Sequence, residues 1–123
     1  PSKERHTSRI HHIPMLWFGG AIKEPRRIDR LMTQSDLAAT LLAQLGLSYR
    51  DFPFSRNILA ANYTYPFAYY TFNDGFAYID STGYSVVDNA TGQCIEEAGA
   101  GADLRRARGR ALLQTSYDDL ARR

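Results

Sequence analysis

The chain opens on nine polar, aperiodic residues that read as a loose tail. Its first apolar feature is the unbroken run Ile13 to Phe18, closed by Gly19-Gly20. A short unbroken run between turn residues predicts a strand buried on both faces. Pro14 cannot donate to a ladder, which places it at the start of that strand or at a sheet edge. Residues 21–32 are charged and carry Pro25, which suits a loop or short turn.

Helical spacing appears next, over 34–46. Leu37, Leu41, Leu42 and Leu45 fall on one face, Thr33 or Ser35 can cap, and Asp36 sits in the first turn where the helix dipole favours an anion. Gly46 follows as a terminator. Residues 48–66 hold Pro53 and Pro66 and no sustained period; they predict a packed loop with aromatic anchors.

From 67 to 97 the pattern changes to short segments between turn residues. FAYYTF, FAYID, YSVVD and QCIEE are separated by Asn73-Asp74-Gly75, Ser81-Thr82-Gly83 and Asn89-Ala90-Thr91-Gly92, an antiparallel meander. Phe67 and Tyr69 alternate with Tyr70 and Phe72, so the first strand wants cover on both faces. After the small residues 98–102, a second helix is expected over 103–120. Asp103 is its candidate cap, and Leu104, Ala107, Ala111, Leu113, Tyr117 and Leu120 form its apolar stripe opposite a face of arginines. Asp118 and Asp119 stand where the dipole disfavours them, so each should have a partner or full solvation. The fold class is therefore α+β: strand 13–18, helix 34–46, meander 67–97 and helix 103–120. Residues 1–123 read as one domain, with 1–47 and 67–123 as its two parts.

Composition narrows the function classes. The chain has 123 residues, enough for one ordinary core. It has no apolar run of membrane-spanning length and no signal-peptide pattern, and it begins at Pro1 as if cut from something longer. The formal charge of +2 is too small to argue for a polyanion partner. The meander carries aromatics that could stack bases, but no basic residue lies between Arg56 and Arg105 to grip phosphates. Neither nucleic-acid binding nor membrane contact is expected.

Candidate chemistry is sparse. His6, His11 and His12 lack Cys or acidic partners at ligand spacing; one buried, hydrogen-bonded histidine and one exposed one are expected rather than a metal site. Cys94, the single cysteine, reads as a small buried hydrophobe rather than a nucleophile. Arg105, Arg106, Arg108 and Arg110 read as a solvated helix face before they read as an anion-binding one. No phosphate loop, nucleophile elbow or paired catalytic carboxylate is present, so no catalytic, cofactor-binding or metal-ligating residue is assigned.

The string His12-Ile13-Pro14-Met15-Leu16-Trp17-Phe18-Gly19-Gly20, then Thr33-Gln34-Ser35-Asp36-Leu37-Ala38-Ala39-Thr40-Leu41-Leu42, then Leu45-Gly46-Leu47 resembles the C-terminal stretch of bacterial sulfatases. The branch is that of lipoteichoic acid synthases and membrane phosphoglycerol transferases; Ala39 stands where that branch has proline. Tyr65 to Phe76 and Leu113 to Leu120 look like one subgroup of it. The resemblance implies an alkaline-phosphatase-like α/β parent, a divalent metal, and a membrane-anchored enzyme acting outside the cytoplasm. Its threonine or formylglycine nucleophile and its Asp-His metal pair have no counterpart here. There is no Asp-His dipeptide, and Cys94-Ile95-Glu96-Glu97-Ala98 is not the Cys-x-Pro-Ser-Arg pattern. The expectation is a structural C-terminal segment, inactive alone. Its partner would be the upstream part of its parent, and an exposed sheet edge would invite self-association. The competing expectation is a free-standing binding module that uses the aromatic meander as its contact surface.

Overall fold

The computed structural model describes residues 11–20 and 22–123. The meander forms as expected. β1 (Phe67–Phe72), β2 (Gly75–Asp80), β3 (Gly83–Asp88) and β4 (Cys94–Gly99) make an antiparallel sheet in the order β1-β2-β3-β4. The registers are local: Tyr69 faces Tyr78, Tyr78 faces Ser85, and Ser85 faces Glu97. A register shift between Val86 and Val87 accommodates the start of β4. The first hairpin turns on Asn73-Asp74, with Asp74 at φ 63°. Gly75 is needed for space rather than for a left-handed backbone. A Cβ there would stand 2.2 Å from the Phe72 ring and 2.5 Å from the Val87 carbonyl oxygen.

Alternation puts Phe76, Tyr78, Ser85 and Val87 on one face and Ala77, Ile79 and Val86 on the other. The core sits in the two central strands, where Phe76, Ala77, Tyr78, Val86 and Val87 are all buried. The helix α2 (Ala102–Ala121) lies across the first face. It is two residues longer than the spacing predicts, and it turns a different stripe inward. Arg105 and Gly109 are its buried positions, while Leu104, Tyr117 and Leu120 are more than half exposed. The reason is steric: Gly109 meets the edge of the Phe76 ring, and a Cβ there would come within 2.1 Å of it. Helix and sheet thus approach too closely for a leucine ridge. The helix starts from Gly101 at φ 75°, without a side-chain cap, and Asp103 lies in its first turn paired with Arg106. Asp118 and Asp119 have the expected partners, Gln114 (2.8 Å) and Arg123 (2.9 Å).

α1 (Asp36–Gln44) is shorter than the 34–46 periodicity suggests. Ser35 occupies the N-cap position but its hydroxyl reaches the Phe54 carbonyl instead (3.3 Å). Asp36 does the capping in reverse, its Oδ2 accepting the Thr33 N–H at 2.8 Å.

Residues 13–18 form no strand. Their backbone makes no hydrogen bond to the backbone of another described residue, and Ile13, Met15, Leu16 and Phe18 are exposed, with Trp17 half-buried. The run pairs with neither edge strand of the sheet, β1 or β4: its apolar pattern states a need for cover but supplies no partner strand.

Candidate functional site

Three polar clusters hold the chemistry-bearing side chains. The first joins α1, the loop after it and β1. Asp36, fully buried, accepts from the Arg56 backbone N–H and Nε, both at 2.9 Å, and pairs with the Arg56 guanidinium. Arg56 also donates to the Phe67 carbonyl (3.0 Å) and lies over the Phe67 ring, 3.5 Å from its centroid. The Thr33 hydroxyl accepts the Tyr69 N–H (3.0 Å). Thr40, 1% exposed, donates to the Asp36 carbonyl (2.7 Å) and accepts the Ile58 N–H (3.1 Å). Two outward-facing backbone groups of edge strand β1 are thereby occupied by side chains, which blunts that edge.

The second cluster is centred on Arg105, which is 0% exposed. Its guanidinium donates to Ser85 Oγ (3.1 Å), Thr82 Oγ1 (2.7 Å) and the Ala98 carbonyl (2.9 Å), and also to the Ala100 carbonyl. Asp80 lies 3.8 Å away and accepts from the Thr82 N–H (2.8 Å), the Thr82 hydroxyl (2.6 Å) and the Tyr65 phenol (2.6 Å). Burial raises the Asp80 carboxyl, but the Thr82 and Tyr65 hydrogen bonds and the Arg105 charge outweigh it and hold its pKa below the ordinary value.

The third cluster is on the open edge strand β4. Glu97 accepts from Arg106 (2.7 and 2.9 Å) and from the Ser85 hydroxyl (3.0 Å). Cys94 is exposed, not buried as its apolar neighbours suggest, because β4 is an edge strand with all six residues at the surface. Partial burial and the Glu97 carboxylate push its thiol up, away from thiolate.

Each cluster falls short of a reactive constellation. Ser85 and Glu97 have the contact of a hydroxyl and a base, but Ser85 is fully buried beneath Arg105 and no substrate can reach it. The Asp36 and Asp80 oxygens already have donors. Among the described residues no three His, Cys, Asp or Glu side chains are grouped to hold a metal.

No known protein family matches this chain, and no curated protein or solved structure matches it.

The residues singled out by sequence end up apart. His12 is exposed. His11 is half-buried and stacks on Tyr70 (centroids 3.7 Å apart, planes at 19°), its Nε2 without a hydrogen-bond partner among the described residues. His6 lies outside the described residues. The four arginines take four fates: Arg105 is interior, Arg106 is paired, Arg108 sits over the Tyr65 ring at 4.3 Å, and Arg110 donates to the Gly92 carbonyl (3.0 Å). None is a free anion-binding face. Sequence reasoning missed the Asp36–Arg56 and Arg105–Asp80 pairs. A usable signal existed: Gly109 lies four residues after Arg105, and a helical glycine marks the face packed closest.

Proposed function

We propose that the chain is the C-terminal structural segment of a metal-dependent sulfuric or phosphoric ester hydrolase or transferase, of the sulfatase and phosphoglycerol transferase kind. Its parent would have an alkaline-phosphatase-like fold and would be membrane-anchored, acting on the outer side of the cytoplasmic membrane. The observation that carries the reading is the fate of the motif's polar residues. Asp36 and Thr40, the Asp and Thr of the resembling Ser-Gln-x-Asp and Thr-Leu-Leu pattern, are buried and tie α1 to residues 55–58. Polar groups so fully occupied position backbone; they do not bind or attack substrate.

Among the described residues no side chains are grouped as a ligand set for the divalent metal of such a parent, and both buried carboxylates have their oxygens taken by donors. The alternative module is weakened by burial of the meander's central aromatics: Phe76 is 0% and Tyr78 1% exposed, so neither can meet a partner.

The test has two arms. The purified chain, offered 4-nitrophenyl sulfate, 4-nitrophenyl phosphate and the bis-phosphodiester with Mg²⁺, Mn²⁺, Zn²⁺ or Ca²⁺, should give no turnover. The complete reading frame should encode an Asp-His pair upstream and yield a metal-dependent esterase. Turnover by this chain, abolished by a substitution within it, overturns the proposal; so does a reading frame without those upstream residues.

A further inference from the structure

We draw no further inference here: the strongest candidate, the open groove between the β3–β4 turn and the second half of α2, lined by Val87, Leu113 and Tyr117, has Arg110 already held on the Gly92 carbonyl, and nothing in the structure shows what covers it.

Discussion

Arg105 is the residue on which most of the sheet–helix contact converges. A guanidinium with no exposed surface carries a large desolvation cost, and it persists here because its donors meet oxygens from the β2–β3 turn, β3, β4 and the β4–α2 connection. Arg105→Ala would strand Thr82, Ser85 and several carbonyls, and should destabilise by roughly 3–5 kcal/mol. Arg105→Lys should lose less, because it keeps the charge without the planar fork. Urea unfolding followed by circular dichroism reads both; equal midpoints for wild type and Arg105→Ala would refute the role. Asp80 adds a pH dependence. Its folded pKa lies below the unfolded value, so the stability it contributes is fully present above about pH 4 and is lost as pH falls through the folded pKa. The urea midpoint should therefore drop as pH falls below about 4, and Asp80→Asn should flatten part of that drop.

At the scale of elements, the meander was legible because its determinants are local. Asn73-Asp74-Gly75 and Ser81-Thr82-Gly83 bracket segments of strand length, and each strand pairs with its sequence neighbour. α2 was legible as a helix but not as to which face it buries. Leucine periodicity points outward here, and the packed side is chosen by a glycine and an arginine, whose burial depends on oxygens distant in sequence. The same holds for α1, where Asp36 reads as a dipole partner but acts mainly through Arg56, twenty residues on. Strand 13–18 failed for a different reason: apolar patterning states a need for cover, and only tertiary neighbours can meet it. The tight α2–sheet approach yields a prediction that runs against propensity. Gly109→Ala should gain about 1 kcal/mol of helix propensity. Against that stands the Phe76 ring at 2.1 Å from the new Cβ, an overpacking cost of roughly 1–3 kcal/mol. The expected net is a lower melting temperature, relieved when Phe76→Leu is added; a raised melting temperature for Gly109→Ala alone would show that helix and sheet are not in this contact.

The whole molecule has two levels of order. From Phe67 onward, strands and helix share a core and a buried ion pair, so that part should open as one cooperative unit. Residues 56–58 and α1 are attached to it through Arg56, Asp36 and Thr40. Ahead of Thr33, the attachments among the described residues are two hydrogen bonds, from Arg30 to the Ile58 carbonyl and from Tyr63 to the Leu31 carbonyl, and the stacking of His11 on Tyr70. Local opening costs least where few buried contacts and few backbone hydrogen bonds must be given up. Lys23 and Arg26 are exposed in that stretch, whereas Arg105 is interior and Arg106 and Arg108 are held by Glu97 and Tyr65. Among the described residues, and apart from any cut in the tail before residue 10, brief trypsin digestion of the 123-residue chain should therefore cut first at Lys23, Arg26 or Arg27, leaving a resistant product that begins between residues 24 and 28 and retains the meander and most of α2. Mass spectrometry of the time course identifies the first cut. Primary cleavage after Arg105, Arg106 or Arg108, with the segment 13–31 still intact, would mean that α2 is not docked on the sheet and that the apolar run before α1 is already covered within this chain.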